Sequence, residues 1–417
     1  MNLNEKVKDE LPLLVSLYKH LHANPELSGR ERNSAAIIAE KLEECGLQVT
    51  RNFGGYGVVG EMVNGTGPTI MVRADMDALP ITEESGLDYA SSVVTEDAAG
   101  NKVGVMHACG HDVHMAALIG SARVMSAMRG SWQGRILFVA QPAEESMFGA
   151  RDMIRQGLFE KFGRPDFCLA THVFPKIEAG RIAVRPGPIM AGTFQLKLIV
   201  RGVGGHGAIP QESRDPVVLA ARIITSLQTI VSREFSPLDP AVVTVGSIHG
   251  GTRSNIIPEK VELEVTARFF NEDGRNRILK SIERICRYEA LSMDIPEELL
   301  PIIELDEEGE LPATVNDSFL AAKVREAVSE QLGSEFCLEA EMVMGSEDFS
   351  LFRTALADEI PCCLFFTGAT QTEEMELFQQ KGINPPSLHN SRFCPPPEQT
   401  ISTAVSAMCA TILKLMS

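Results

Sequence analysis

Three continuous apolar runs, separated by stretches with helical periodicity, constrain the fold of the first 175 residues more than any other feature. The runs are "TIMVRAD", "GRILFVAQP" and "PDFCLATHVF", and helical stretches cover residues 111 to 128 and 149 to 156 between them. Strands that are apolar on both faces and alternate with helices are typical of a largely parallel sheet with helices on both sides. The sequence therefore predicts an α/β fold for this part of the chain.

Each apolar run ends in ionisable residues. These residues are, in chain order, Asp75 and Asp77, Glu144 and Glu145, and His172. Sites in open α/β sheets lie outside the carboxyl ends of the strands, so we expect these side chains to share one edge of the sheet. The segment "MHACGHDVHM", residues 106 to 115, lies immediately before and within the helix that follows the first run, and it is expected at the same edge.

The segment 106 to 115 concentrates metal-binding residue types, because it holds three of the nine histidines of the chain together with Cys109. Imidazole, thiolate and carboxylate donors that converge suit zinc or a similar transition ion and disfavour calcium and magnesium. Cys109 or His111 taken singly is more often a core residue than a ligand. Their crowding favours a metal site over that alternative.

The adjacent glutamates of "QPAEES" follow an apolar strand, where successive side chains point to opposite sides. One carboxylate can then bind metal while the other takes a proton from metal-bound water. The alternative interpretation is a solvated pair of glutamates at the end of a strand.

A different pattern starts near residue 188. "TFQLKLIVRG" and "KVELEVTARF" alternate apolar and polar residues, which is typical of half-buried antiparallel strands. With amphipathic helices at 215 to 232 and 274 to 291, the order strand, helix, strand, strand, helix, strand predicts a ferredoxin-like α+β insert. The expected domains are a main α/β domain in two parts, 1–187 and 306–417, and an inserted domain at 188–305.

The glycine-rich loop "VRGVGGHGAIP" contains a G-x-G-x-x-G pattern. A dinucleotide-binding fingerprint must open a helix, whereas "AIP" continues this loop, so the pattern does not indicate a nucleotide site. His206 is the residue of interest in the loop. A histidine of this kind is by itself more often a surface residue than a catalytic one.

Charge and hydropathy exclude several classes of partner. The formal charge of −18 and the pI near 5.0 disfavour nucleic acid and anionic membranes, which a negative field repels. The first residues, "MNLNEKVKDELP", carry charges where a signal peptide has an apolar run, and nowhere do 18 apolar residues follow one another. We therefore expect a soluble, cytoplasmic protein.

Nine scattered cysteines without a C-x-x-C pair indicate neither a disulfide framework nor a zinc ribbon.

Eight motifs occur in the order and spacing found in the co-catalytic metallopeptidases. They are "RADMDALPI", "MHACGHDVH", "QPAEE", "THVFP", "GGHGAIP", "SNIIP", "GSEDF" and "LHNSRF". The chain resembles the amidohydrolase branch of this family, which includes hippurate hydrolases, N-acyl-amino-acid amidohydrolases, indole-acetyl-amino-acid hydrolases and N-acetyldiaminopimelate deacetylases. The resemblance spans nearly the whole chain. It implies a metallopeptidase catalytic domain with a mainly parallel sheet and an inserted lid or dimerisation domain.

The resemblance also implies a role for particular residues. The implied ligands of a dinuclear metal centre are Cys109, His111, Glu145, His172 and His389. Glu144 is implied as the general base and later the general acid, and His206 as an oxyanion-stabilising residue that a partner subunit contributes. Asn255 corresponds to a residue lining the substrate pocket, and Asp75 to an outer-shell aspartate. The expected cofactors are two divalent ions per subunit, zinc or manganese, with cobalt or nickel also compatible with the donors.

The predicted function is metal-dependent hydrolysis of the amide bond of N-acyl amino acids, N-acetyl, N-benzoyl or similar, to a carboxylate and a free amino acid. The expected partners are this small-molecule substrate and further copies of the chain, in a homodimer or higher homo-oligomer formed through the insert. One alternative is a dipeptidase or aminoacyl-peptide hydrolase with the same centre. Another is a metal-binding protein without turnover, against which the intact Glu144 counts because binding alone needs no proton shuttle.

Overall fold

The structure is a computed structural model that describes residues 2–97 and 99–416. The chain forms two compact units. The first comprises Met1–Ile189, Val315–Glu341 and Asp348–Ser417, and the second comprises Met190–Thr314 and Met342–Glu347. The second unit extends past residue 305, where the sequence places the end of the insert, because its last strand runs on to Leu311. The predicted lid or dimerisation role of the insert stays a prediction.

The helices and strands follow one another in three stretches of chain. Up to the insert they are α1 (Leu3–Ala23), α2 (Arg32–Glu44), β1 (Gln48–Thr50), β2 (Val58–Asn64), β3 (Thr69–Asp75), β4 (Val94–Glu96), β5 (Lys102–Gly104), α3 (His111–Ala127), β6 (Gly134–Gln141), α4 (Gly149–Arg155), α5 (Leu158–Phe162), β7 (Phe167–Glu178) and β8 (Ile182–Val184). The next stretch contains β9 (Gly187–Met190), β10 (Gly192–Arg201), β11 (Gly205–His206), α6 (Pro216–Thr229), β12 (Val242–Gly250), β13 (Ile256–Ile257), β14 (Lys260–Phe269), α7 (Glu272–Leu291), β15 (Ile302–Leu311) and β16 (Thr314–Asn316). The last contains α8 (Ser318–Leu332), β17 (Cys337–Glu339), α9 (Ser350–Thr354), β18 (Cys362–Thr370), α10 (Thr372–Lys381) and α11 (Pro397–Met416).

An eight-stranded sheet in the order β1-β2-β6-β3-β7-β18-β8-β17 forms the centre of the first unit. Its central strands β6, β3, β7 and β18 are parallel, and antiparallel pairs occur toward the edges. Residues 70 to 75 of β3 are all buried, as expected for a strand that is apolar on both faces. The predicted α/β fold with a mainly parallel sheet is confirmed.

A single glycine fixes the start of α3 against β7. Gly110 precedes the helix with φ +81°, a left-handed conformation that glycine adopts without strain. A Cβ atom built at this position would lie 2.4 Å from Val173 Cγ2. Any larger residue would therefore clash with Val173 and strain the backbone between Cys109 and His111.

The second unit has a four-stranded antiparallel sheet in the order β12-β14-β10-β15, against which α6 and α7 pack. The inward-facing residues of β10, among them Phe194 and Leu198, join apolar residues of both helices in one core. Asp215 and Asn271 cap the helices by accepting backbone N–H groups of the first turn. The predicted ferredoxin-like order of strands and helices is confirmed.

No helix among the described residues is long and apolar enough to cross a membrane.

Candidate metal centre

Five donor side chains converge at one edge of the eight-stranded sheet. They are Cys109, His111, Glu145, His172 and His389. Cys109 Sγ lies 3.6 Å from His172 Nε2. Glu145 Oε1 lies 3.9 Å from His111 Nε2 and 3.3 Å from His389 Nε2. The structure thus brings together all the side chains that the resemblance implies as ligands, while their role as ligands stays a prediction.

His172 lies within β7, which runs on to Glu178, and not at the end of the strand as the sequence predicts. On the β3 side, however, the pairing of β7 stops at Ala170, opposite Arg73. His172 therefore lies just beyond the part of β7 that pairs with β3, which explains how a residue inside a strand reaches the edge of the sheet.

Backbone acceptors fix the orientation of two imidazole rings. His111 Nδ1 donates to Asp77 O at 2.8 Å, and His172 Nδ1 donates to Val173 O at 2.8 Å. A carbonyl oxygen only accepts, so each ring carries a proton on Nδ1 and turns its Nε2 atom toward the cluster. His111 Nε2 and Glu145 Oε1 are buried and have no hydrogen-bond partner among the described residues. Buried polar atoms without partners are rare, and these two fit a metal ion that both would coordinate.

Glu144 and Glu145 follow an apolar strand, as the sequence predicts, but the alternation of side chains along that strand does not extend to them. β6 ends at Gln141, because Pro142 has no N–H group to continue the ladder. The two glutamates lie in the loop that follows, and Glu144 Oε2 and Glu145 Oε1 are each 3.9 Å from His111 Nε2. Both carboxylates therefore face the same cluster, and strand alternation is not what separates their roles.

Two segments of the site have unfavourable backbone conformations. His389 and Ala143 adopt φ +64° and +51°, which is unfavourable for residues with a Cβ atom. The backbone N–H of His389 donates to Ala108 O at 2.9 Å, and that of Ala143 donates to the buried Glu31 Oε1 at 2.8 Å. These bonds hold the segments that present His389 and the two glutamates.

Asp77 links two of the donor side chains, a role that the sequence analysis missed. Its carboxylate accepts from the backbone N–H of Glu145 at 3.0 Å and from Ser28 Oγ at 2.6 Å. Oδ1 also lies 3.2 Å from His111 Nδ1. Carboxylates that orient ligating histidines are a regular feature of metal sites. The available signal was the position of Asp77 two residues beyond Asp75, at the end of the same apolar run.

Asp75 lies beside the cluster, and its predicted outer-shell role stays a prediction. Its Oδ1 accepts from His114 Nδ1 at 2.6 Å, its Oδ2 accepts from Arg73 Nη1 at 2.6 Å, and Oδ2 is 3.7 Å from His111 Nε2. His114 is not available as a ligand, because its Nε2 accepts from the backbone N–H of Val173 at 2.9 Å. Both ring nitrogens of His114 therefore already form hydrogen bonds within the protein.

The site carries an excess of buried negative charge. Burial alone lowers the pKa of His111, but the carboxylates of Asp75 and Asp77 outweigh it and raise this pKa to about 10. Burial, followed by the carboxylate of Glu145, raises the pKa of the Cys109 thiol well above its usual range. Divalent cations offset such a charge and replace the protons on thiol and imidazole, so the electrostatics also fit a metal centre.

His206 and Asn255 belong to the second unit, where they lie on neighbouring segments. β11 pairs with β13 so that His206 is opposite Ile256, and the backbone N–H of Gly207 donates to Asn255 O at 2.9 Å. His206 Nδ1 accepts from the backbone N–H of Ala208 at 3.0 Å, which orients the ring. Both side chains are exposed. Their predicted roles in catalysis and substrate binding stay predictions.

A comparison with models of known protein families shows which family this chain belongs to. The model described as "Peptidase family M20/M25/M40" matches residues 71–392. The chain belongs to peptidase family M20/M25/M40. The resemblance to metallopeptidases is thereby confirmed, and the protein is a hydrolase of this family.

Individual members of family M20/M25/M40 match most of the chain. IAA-amino acid hydrolase ILR1-like 4 of Arabidopsis thaliana is 34% identical over 84% of this chain and 77% of its own. N-acetylcysteine deacetylase of Bacillus subtilis is 34% identical over 87% of this chain and 89% of its own. Among solved structures, the Bacillus subtilis YXEP protein, described as a dinuclear metal binding peptidase from M20 family, has a TM-score of 0.80 at 28% identity, covering 98% of this chain and 99% of its own. This neighbour and the donor cluster together support two divalent metal ions in this protein.

Proposed function

We propose that the protein hydrolyses the amide bond of N-acyl amino acids, N-acetyl, N-benzoyl or similar, and releases a carboxylate and the free amino acid. The observation that carries this proposal is the buried carboxylate of Glu144 beside a cluster in which His111 Nε2 and Glu145 Oε1 have no hydrogen-bond partner among the described residues. A cluster built only to bind metal has no need of an additional carboxylate at this position.

The ligand set that we propose is Cys109, His111, Glu145, His172 and His389. Thiolate, imidazole and carboxylate donors favour zinc or manganese, and they also accept cobalt or nickel. When bound, the two ions supply Lewis acidity toward the scissile carbonyl and toward a water molecule. Glu144 accepts the proton of that water and delivers it to the leaving amine nitrogen.

The names of the relatives support the substrate class. IAA-amino acid hydrolase and N-acetylcysteine deacetylase both describe amides between a carboxylic acid and an amino acid. Asn255, exposed on the second unit, is proposed to contact the substrate, and Asp75 is proposed to act from outside the ligand set. We propose that the protein acts in the cytoplasm.

We further propose a homodimer through the second unit, in which His206 stabilises the oxyanion in the site of the partner subunit. β12 is an edge strand of the four-stranded sheet, and an edge strand presents unpaired backbone groups to a second copy. Two apolar side chains of this unit, Ile248 in β12 and Ile256 beside His206, are half exposed, at 51% and 50%. Pairing through this edge would cover part of that apolar surface.

A substrate panel tests the proposed function. The metal-reconstituted protein is incubated with N-acetyl, N-benzoyl and indole-acetyl amino acids and with dipeptides, and the released amine is quantified. We expect turnover of N-acyl amino acids to exceed that of dipeptides that share the same C-terminal residue. Preference for dipeptides would instead support a dipeptidase, and no turnover of any amide by the metal-loaded protein would support a binding protein.

A further inference from the structure

A buried ionic network connects Asp75 to residues outside the donor cluster. Arg73 donates from Nη1 to Asp75 Oδ2 at 2.6 Å, from Nη2 to Asp348 Oδ1 at 2.9 Å and from Nε to Gln141 Oε1 at 2.8 Å. All four side chains are at most 2% exposed. A buried guanidinium is tolerated only when carboxylates and further acceptors satisfy it, so this network holds Asp75 in one position.

The network continues through Asp75 to a metal-facing histidine. Asp75 Oδ1 accepts from His114 Nδ1 at 2.6 Å, and His114 Nε2 accepts from the backbone N–H of Val173 at 2.9 Å. The carbonyl oxygen of Val173 in turn accepts from His172 Nδ1 at 2.8 Å. An unbroken series of contacts therefore joins Asp348, far along the chain, to the ring of His172.

The direction of each hydrogen bond follows from the backbone groups. The N–H of Val173 can only donate, so His114 Nε2 must accept and the ring proton of His114 must lie on Nδ1. That proton is donated to Asp75, whose charge the Arg73 guanidinium balances. The carbonyl of Val173 can only accept, so His172 is protonated on Nδ1 and its Nε2 lone pair points toward Cys109.

We propose that Arg73, His114 and Asp348 are positioning residues for the metal centre. By fixing the backbone N–H of Val173, whose carbonyl oxygen accepts from His172 Nδ1, they hold the His172 ring with its Nε2 atom in the donor cluster. This inference rests on the proposed ligand role of His172. Outer hydrogen-bond partners of this kind contribute to metal affinity because they remove the need to orient the ligand on binding.

Two substitutions of His114 separate the two bonds of its ring. In His114→Asn the side-chain amide lies near the place of Nδ1, so it retains a donor for Asp75 but does not reach Val173. In His114→Gln the amide oxygen lies near the place of Nε2 and accepts from Val173, but no donor faces Asp75. His107→Gln is the matched control, since His107 is as buried as His114, at 1% exposed, and its ring has no hydrogen-bond partner among the described residues.

Zinc affinity is measured by competition with a chromophoric chelator, starting from metal-free protein. Both His114 variants should bind zinc about 10- to 100-fold more weakly, whereas His107→Gln should remain within about threefold of the wild type. His172→Gln should lose affinity more strongly than any of them. Wild-type affinity in both His114 variants, together with loss in His172→Gln, would overturn the positioning network alone. Wild-type affinity in His172→Gln would overturn the ligand assignment and the network with it.

A second readout distinguishes positioning from a general loss of stability. The ¹⁵N chemical shifts of His172 in the metal-free wild type should report one neutral tautomer, protonated on Nδ1. Asp348→Asn preserves the size of the side chain but removes the charge that faces Arg73, and it should give a mixture of tautomers or a mobile ring. A single, unchanged tautomer in Asp348→Asn would contradict the inference even where the His114 variants fail to fold.

Discussion

Glu144→Gln is expected to lower kcat by about 10²- to 10⁴-fold while the protein retains its metal. Glutamine has the size of glutamate and preserves the packing of this buried side chain, but it cannot accept a proton. Water activation and protonation of the leaving amine both depend on that proton in the proposed mechanism. Turnover of an N-acyl amino acid and metal content measured on the same sample check this result.

Glu145→Gln is the matched comparison, because it alters the neighbouring carboxylate by the same single atom. Glu145 Oε1 is buried, lies 3.3 Å from His389 Nε2 and has no hydrogen-bond partner among residues 2–97 and 99–416. The variant should therefore lose metal affinity, and its activity should recover in part when metal is added in excess. Equal loss of metal in both variants would show that the two roles are assigned wrongly.

Mixing two inactive variants should restore activity if His206 acts in the partner's site. Glu144→Ala and His206→Ala chains are each expected to be inactive on their own. In a mixed dimer one active site contains both substitutions, while the other combines an intact Glu144 with an intact His206 from the partner subunit. With random exchange, half of the dimers are mixed and each has one working site of two, so about a quarter of wild-type activity should return.

Subunit exchange must be verified on the same sample by mass or by labelling. If exchange is complete and activity stays at the level of the single variants, His206 acts in its own chain or has no part in catalysis. An arrangement in which His206 serves its own subunit leaves every site damaged, so the two outcomes are well separated.

The elements with a clear periodicity could be predicted from the sequence. The helix predicted at 274 to 291 is observed at Glu272–Leu291, and its apolar stripe packs on the second sheet. The central strands could also be predicted, because a run that is apolar on both faces has few other solutions. Cys109, His111, Glu145 and His172 were found because their types are crowded in sequence or follow apolar runs, whereas His389 was identified only through the resemblance to a known family.

The geometry around those donors could not be predicted. β6 ends at Gln141 and the two glutamates lie in the loop after Pro142, so the alternation of side chains along a strand does not determine where they point. The contact between Arg73 and Asp348 joins residues 275 positions apart. Such partners come together only through the packing of the whole unit, and "GSEDF" identified Asp348 as part of a motif without indicating its partner.

Metal content and turnover determined on one preparation test the central claim most directly. Elemental analysis by mass spectrometry of the active protein should find about two divalent ions per chain, and a chelator should remove them and abolish turnover of an N-acyl amino acid together. Adding back zinc or manganese should restore both quantities. Full turnover in a preparation without bound metal would contradict the account.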